Sequence, residues 1–128
     1  MRRLPAEFEE QSFIQVVFPH KKSDWSEYLE EAEKNFVDII NAIAKYQQCL
    51  VVCDDLSSVQ AHFTSHANIH FVEVPTNDTW ARDSSAITVY EDGEPLLLDF
   101  TFTAWGGKFD AGLDNEMSSR LASFYDAP

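Results

Sequence analysis

The 128-residue sequence contains little glycine, proline or cysteine. Four glycines and five prolines are too few for a collagen-like or low-complexity chain. Two cysteines, Cys49 and Cys53, are too few for a disulfide framework. They are four residues apart in an apolar run, where a strand places them on the same side but too far apart to bond to each other. We therefore interpret them as buried thiols in a reducing compartment.

The sequence also lacks segments that direct a protein to or through a membrane. No apolar run approaches the ~20 residues of a membrane-spanning helix. Arg2 and Arg3 at the start are followed at once by acidic residues, and no secretory hydrophobic region is present. The sequence therefore predicts a cytoplasmic protein.

Basic side chains are scarce, because 9 Lys and Arg stand against 22 Asp and Glu, for a formal net charge of −13. A surface this acidic repels phosphates and anionic lipids, which predicts no nucleic-acid partner and no membrane partner. It attracts cations, and guanidinium compounds or polyamines are the natural ligands of that class. Net charge does not choose among them.

The first part of the chain alternates strand and helix signals. Apolar runs predict strands at residues 13–18, 50–53 and 69–74. Asp24 and Glu27 match a capping box, and an apolar stripe behind it predicts a helix to Ile43. A second, short helix is predicted from Asp54 to about Phe63. This order indicates an α/β fold built on a βαβ unit with right-handed crossovers.

The pattern changes after a loop predicted at residues 76–83. Strands at 85–90 and 96–100 flank Asp92 and Gly93, a pair typical of a hairpin turn. A glycine-containing loop at 104–108 and a helix at 115–125 follow. Since a hairpin and a helix need a further strand to pack beside them, we expect the chain to be a piece of a longer domain.

The densest polar group lies at residues 76–85 and contains Asp78, Trp80, Arg82 and Asp83. It follows the carboxyl end of a predicted strand, where open α/β folds bind ligands. A carboxylate beside an indole suits a planar cation, because the carboxylate accepts paired N–H bonds and the ring face attracts the charge. Arg82 would hold a neighbouring carboxylate in its ionised form. The alternative is a polar turn with a local cap.

Other candidate groups give weaker signals. Gly106 and Gly107 after Trp105 allow close approach of backbone to a ligand or strand, or make a tight surface turn with a packed indole. The histidines form no convincing metal-ligand pair, and we expect solvated or capping roles for them. They are His20, His62, His66 and His70.

Four segments together carry a family resemblance. They are LPAEFE at residues 4–9, VFPH with SDW at 17–25, NDTWARD at 77–83, and the segment 100–108 that ends in AWGGK. In this order they resemble the N-terminal motifs of the agmatine deiminase family, also described as bacterial peptidyl-arginine-deiminase-like proteins. The Trp-x-Arg-Asp segment is the most specific of the four.

The resemblance implies an α/β fold of the pentein type, a propeller of five ββαβ modules. This chain would supply about the first one and a half modules, so that residues 1–128 form the N-terminal portion of a single catalytic domain. The implied reaction is hydrolysis of agmatine to N-carbamoylputrescine and ammonia, with no metal or organic cofactor. A cysteine thiolate attacks the guanidinium carbon, two carboxylates hold the guanidinium, and a histidine transfers protons.

The family roles pass to this chain only in part. Asp83 matches the first guanidinium-binding carboxylate, and Trp80 matches the aromatic side chain that lines the site. Asp78 and Arg82 match supporting positions. The nucleophilic cysteine, the catalytic histidine and the second carboxylate match nothing in this sequence. No histidine has an aspartate two residues on, and neither cysteine follows a histidine in a glycine-rich segment. We therefore expect no turnover from this chain alone.

Two alternatives stay open beside agmatine deiminase. One is a peptidyl-arginine deiminase or another guanidine-modifying enzyme, since the residues that choose the substrate lie mostly outside this stretch. The other is a free-standing, non-catalytic α/β module that binds a cationic ligand. For the agmatine deiminase reading the expected partner is a small guanidine, agmatine itself, and self-association into a homo-oligomer is left open.

Overall fold

The computed structural model describes residues 1–125 as a mixed α/β chain. The strands are β1 (Arg2–Arg3), β2 (Ile14–Val17), β3 (Cys49–Cys53), β4 (Ile69–Glu73), β5 (Ile87–Glu91) and β6 (Glu94–Leu98). The helices are α1 (Leu29–Ala44), α2 (Leu56–Gln60), α3 (Ala81–Ser84), α4 (Ala104–Gly107), α5 (Asp114–Arg120) and α6 (Ala122–Tyr125). The last three residues of the domain predicted over 1–128 lie outside the described residues. Within residues 1–125, no helix has the length and apolar character needed to cross a bilayer.

The chain divides into two compact units. The parallel unit comprises residues 11–81, and the antiparallel unit comprises residues 1–10 together with the segment from Arg82 onward. The parallel unit holds a three-stranded sheet in the order β2-β3-β4, with every pair parallel. Helix α1 connects β2 to β3 and α2 connects β3 to β4, which confirms the predicted βαβ organisation.

Strand β3 is the centre of the parallel sheet and is buried along its whole length, as its all-apolar sequence predicts. Phe18, directly after β2, is 1% exposed, and its ring contacts those of Phe36 and Phe63 edge-on. Helix α1 contributes Ile40, which is fully buried in the same core. The core of this unit therefore forms between the sheet and its two helices.

The capping box predicted at Asp24 and Glu27 is wrong. A 3₁₀ turn at Ser26–Tyr28 leads into α1, and neither the turn nor the helix has a side-chain cap. The backbone N–H of Ser26 donates instead to the carbonyl of Ser23. Backbone bonding in this turn thus replaces the reciprocal side-chain caps that the sequence pattern suggests.

Helix α2 is shorter than predicted and begins with a side-chain cap. Asp55 accepts a hydrogen bond from the backbone N–H of Ser58 at 3.0 Å, which lowers the pKa of Asp55. Glu73 at the end of β4 accepts the backbone N–H of Leu56 at 2.8 Å. Two carboxylates therefore satisfy free donors in the first turn of this helix.

The antiparallel unit contains the sheet β1-β5-β6. The hairpin between β5 and β6 turns at Asp92 and Gly93, whose φ values of +54° and +95° confirm the predicted turn. Strand β1 pairs antiparallel with β5 and is absent from the sequence prediction. Its Arg3 forms a fork with the carboxylate of Glu9 and lies over the ring of Tyr90, with its central carbon 4.8 Å from the ring centroid.

The helix predicted at residues 115–125 forms as two pieces. Helix α5 ends at Arg120, and the next residue, Leu121, has φ of −90° and ψ of −2° and separates it from α6. Met117 and Leu121 of the predicted apolar stripe are fully buried, whereas Phe124 is 51% exposed. The backbone break thus turns the end of the stripe out of the core of this unit.

Candidate functional site

The loop that follows β4 is connected by hydrogen bonds to the turn that follows β2. Thr76 in this loop is 2% exposed. Nε2 of His20 lies 3.1 Å from the Thr76 carbonyl oxygen and 3.2 Å from its hydroxyl. The ring of His20 therefore does more than the expected solvated or capping role, because it also joins two loops at the carboxyl ends of parallel strands.

The orientation of the His20 ring follows from its other nitrogen. Nδ1 accepts the backbone N–H of Lys22 at 3.2 Å, so the ring proton lies on Nε2 and is donated to Thr76. Ser23 closes the same turn, because its hydroxyl donates to the His20 carbonyl at 2.7 Å. The turn around His20 is thus fixed on both sides of the ring.

A second contact joins the same two segments. The indole Nε1 of Trp25 donates to the hydroxyl of Thr79 at 2.9 Å. The Trp25 ring packs edge-on against Phe36 of α1, with centroids 6.3 Å apart. The donor is therefore held by the helix, and it anchors the loop three residues after Thr76.

The structure brings Asp78 and Trp80 together. One carboxylate oxygen of Asp78 accepts the indole N–H of Trp80 at 3.0 Å, and the other accepts the backbone N–H of Thr79 at 2.9 Å. Trp80 keeps 42% of its surface exposed. Asp78 thus orients an indole whose ring remains accessible, which is the arrangement suited to a cation at the ring face.

Arg82 and Asp83 are exposed and lie in helix α3. The loop predicted at residues 76–83 is therefore wrong at its end, because its last residues form a helical turn. The boundary between the units falls between Ala81 and Arg82. Over the described stretch, Arg82 and Asp83 form no ion pair with each other. The role of Arg82 in holding a carboxylate stays a prediction.

The second candidate segment, residues 104–108, forms a left-handed turn. Ala104 and Trp105 have φ values of +48° and +57°, and Gly106 and Gly107 follow at +78° and +80°. The hydroxyl of Thr103 accepts the backbone N–H of Gly106 and closes the turn. The two glycines meet this geometry without strain, whereas it costs an L-residue roughly 1–2 kcal/mol.

The turn presents an aromatic cluster. Trp105 is 54% exposed and lies edge-on to Phe102 and Phe109, at centroid distances of 5.4 and 5.9 Å. The tight turn in the sequence interpretation is confirmed, and its indole is only half packed. No ring of this cluster is part of the loop after β4.

Cys49 and Cys53 are free, buried thiols, as predicted. Burial raises the pKa of Cys49 to about 11 and that of Cys53 to about 12, the latter with help from the carboxylates of Glu73, Asp55 and Asp54. A nucleophilic cysteine needs the opposite shift, because the thiolate is the reactive form. Their environment thus gives no support for a nucleophilic role.

No group of three or more metal-ligating side chains occurs within residues 1–125. Sequence reasoning did not single out Thr76 and Thr79 as anchor points of the loop after β4. Their position could have indicated this role, because they follow a predicted strand that ends at a proline, and loops at the carboxyl ends of parallel strands lie close together.

Comparison with solved structures identifies the fold. An agmatine deiminase of C. jejuni with substrate bound is 37% identical to this chain and superposes with a TM-score of 0.91, over 96% of this chain and 37% of its own. This confirms the α/β, pentein-type prediction for the part of the fold that the chain supplies.

Curated relatives agree with this comparison. A Listeria monocytogenes protein provisionally named agmatine deiminase 1 is 32% identical over 109 residues, which are 84% of this chain and 30% of the relative. A Vibrio parahaemolyticus protein provisionally named agmatine deiminase is 33% identical over 121 residues, which are 93% and 33% respectively. The chain thus spans about a third of the length of these relatives. A sequence model of the Porphyromonas-type peptidyl-arginine deiminases matches residues 3–128, and the chain belongs to that family.

Proposed function

We propose that this chain is the N-terminal part of an agmatine deiminase, which hydrolyses agmatine to N-carbamoylputrescine and ammonia. The observation that carries the proposal is the similarity over 96% of the chain to an agmatine deiminase with substrate bound. The names of the Listeria and Vibrio relatives support the same activity. Because the chain spans about a third of those relatives, the activity is proposed for the complete protein that contains it.

In this proposal Asp83 accepts paired N–H bonds from the substrate guanidinium. Trp80 supplies the aromatic side chain that lines the substrate site. Asp78 supports Trp80 through the bond to its indole N–H. Arg82 has a supporting role beside Asp83. The accessible and oriented indole of Trp80 is the contact within this chain that best fits a planar cation.

The chemical step needs groups that this chain does not supply. A cysteine thiolate adds to the guanidinium carbon, ammonia leaves after proton transfer from a histidine, and water then displaces the thiolate to give the ureido product. The buried Cys49 and Cys53 are excluded from this role in the proposal, since burial keeps them protonated at neutral pH. A cytoplasmic location belongs to the same proposal. So does a role in polyamine biosynthesis, because loss of the carbamoyl group from N-carbamoylputrescine yields putrescine.

A peptidyl-arginine deiminase is the second candidate, and the name of the matching family favours it. Both activities begin with the same guanidinium contacts. They differ at the other end of the substrate, where agmatine carries a primary ammonium and peptidyl-arginine carries backbone amides. The loop after β4 does not discriminate between them.

The test is a substrate comparison on the complete protein. Agmatine, free arginine and a short peptide with an internal arginine are supplied separately, and ammonia and the ureido product are quantified. We expect kcat/KM for agmatine to exceed that for the peptide by at least about 100-fold, since an ammonium-binding end rejects a substrate that lacks the charge. Higher activity on the peptide would select the second candidate.

A third outcome is defined in the same experiment. If no substrate is turned over, equilibrium binding of agmatine is measured by calorimetry. Binding without turnover would support the non-catalytic module, and absence of both would refute the proposal for this loop. Residues 1–128 alone serve as the negative control for turnover.

A further inference from the structure

The geometry points to His20 and Trp25 as positioning residues that hold the β4 loop, defined as residues 76–80, in the conformation that presents Trp80 to the substrate. This inference rests on the proposed function. It assigns a role to two side chains that have no part in the chemical step. Both lie in the segment that follows β2, and both bond to threonines of the β4 loop.

The two bonds constrain the β4 loop at separate points. His20 bonds at Thr76, where the loop leaves the sheet, and Trp25 bonds at Thr79, one residue before Trp80. Asp78 lies between the anchor points and holds the Trp80 indole through its carboxylate. Because both ends of this short segment are fixed, the pair Asp78–Trp80 has little freedom to move relative to the parallel sheet.

The donors are themselves held in place. The His20 ring accepts the N–H of Lys22, and its backbone bonds to Ser23. The Trp25 ring packs on Phe36, a residue of helix α1. Because the donor atoms of His20 and Trp25 are held in place, their hydrogen bonds also restrict the position of the β4 loop. The arrangement therefore transmits the rigidity of the core to an exposed indole.

The consequence is specific to substrate contact. Loss of an anchor leaves Trp80 and Asp83 chemically intact but lets the indole sample other positions. Since Trp80 contacts the substrate without taking part in bond breaking, we expect a rise in KM that exceeds any fall in kcat. A purely structural role would lower the thermal midpoint and leave KM of the folded enzyme unchanged.

Thr79 offers a matched pair of variants. Thr79→Val removes the hydroxyl at nearly constant volume, and Thr79→Ser keeps it. In the complete enzyme we expect Thr79→Val to raise KM for agmatine about fivefold to tenfold, with kcat changed less than about twofold. Thr79→Ser should restore KM to within about twofold of wild type. Equal effects of the two variants would overturn the role of this hydrogen bond.

Trp25→Phe supplies the partner variant, because it keeps an aromatic ring against α1 and removes the indole N–H. The double variant Trp25→Phe with Thr79→Val should raise KM no more than the stronger single variant, since both remove one bond. Fully multiplicative effects would mean that the two side chains act independently, which contradicts the proposal. For His20, Gln keeps an N–H donor and Leu does not, so His20→Gln should retain a lower KM than His20→Leu.

A readout without substrate separates this inference from the proposed function. Amide hydrogen exchange of residues 76–81 is measured by mass spectrometry in wild type and in each variant. We expect exchange in this segment to accelerate at least about fivefold in Thr79→Val and to stay near wild type in Thr79→Ser. If wild type does not hydrolyse agmatine, the proposed function fails while the exchange data still decide whether the loop is anchored. Unchanged exchange in Thr79→Val would refute the anchoring itself.

Discussion

The buried thiols provide a quantitative test of the reasoning about the site. At pH 8 a thiol with the ordinary pKa of 9.0 is ionised to roughly one part in ten. A pKa of about 11 for Cys49 and about 12 for Cys53 reduces the thiolate fraction to roughly one part in 1,000 and one part in 10,000. Ionisation alone should therefore slow alkylation by iodoacetamide about 100-fold at Cys49 and about 1,000-fold at Cys53. Their complete burial slows it further.

The assay measures alkylation by iodoacetamide in the native protein and in the protein unfolded in concentrated urea, at the same pH and reagent concentration. Cys49 and Cys53 fall on the same tryptic peptide, and fragment ions that break the chain between Leu50 and Val52 report each thiol separately. We expect both to be labelled rapidly in urea and to remain unlabelled over the same time in the native state. Native labelling at the rate seen in urea would refute the burial and the raised pKa together.

A functional arm follows from the same reasoning. Cys49→Ala and Cys53→Ala remove thiols that the proposal excludes from catalysis. In the folded complete protein each variant should keep kcat for agmatine within about twofold of wild type. A loss of several orders of magnitude, with folding intact by circular dichroism, would identify that cysteine as the nucleophile and contradict the exclusion.

Four further predictions concern the site and the fold. Asp83→Asn in the complete protein should lower kcat/KM for agmatine at least ~100-fold, because a charged paired contact is lost, and a near-wild-type value would remove Asp83 from the site. Val51→Ala in the buried centre of β3 should reduce the free energy of unfolding in urea by about 2–3 kcal/mol. Gly93→Ala at φ of +95° should cost about 1–2 kcal/mol, read as a lower thermal midpoint, and an unchanged midpoint would refute the strain. Because the pKa of Asp55 is lowered in the folded state, its stabilisation of α2 is present above its ordinary pKa of 3.8 and is lost as pH falls through the folded value. The urea midpoints of wild type and Asp55→Ala should therefore differ at pH 7, and the difference should shrink as the pH falls below 3.8.

The secondary structure of the parallel unit could be predicted largely from the sequence, because each strand and helix is marked by a pattern among neighbouring residues. The all-apolar run ending at Cys53 predicts a buried central strand, and the apolar stripe up to Ile43 predicts helix α1. The predicted capping box at the start of α1 was wrong, because the polar residues Asp24 and Glu27 fit a 3₁₀ turn as well as a capping box. The difference lies in backbone bonds that a residue pattern does not encode.

Contacts between distant segments were the part that local patterns could not supply. Strand β1 is only two residues long, which is too short to show a strand periodicity, and its partner β5 begins only at Ile87. The bonds from His20 and Trp25 to the β4 loop likewise join segments more than 50 residues apart. Such bonds form only when the parallel strands place both loops at the same edge of the sheet, so a pattern among neighbouring residues cannot predict them.

The long separation between β1 and β5 has a consequence for the order of folding during synthesis. The residues of the parallel unit, 11–81, are complete before β5 leaves the ribosome. At about 5–20 residues per second, translation from Arg3 to the end of β5 at Glu91 takes about 4–18 s, and β1 has no partner during that time. During that time Arg2 and Arg3 are a positively charged pair in a strongly acidic nascent segment. Strand β1 is therefore translated well before the residues with which it pairs.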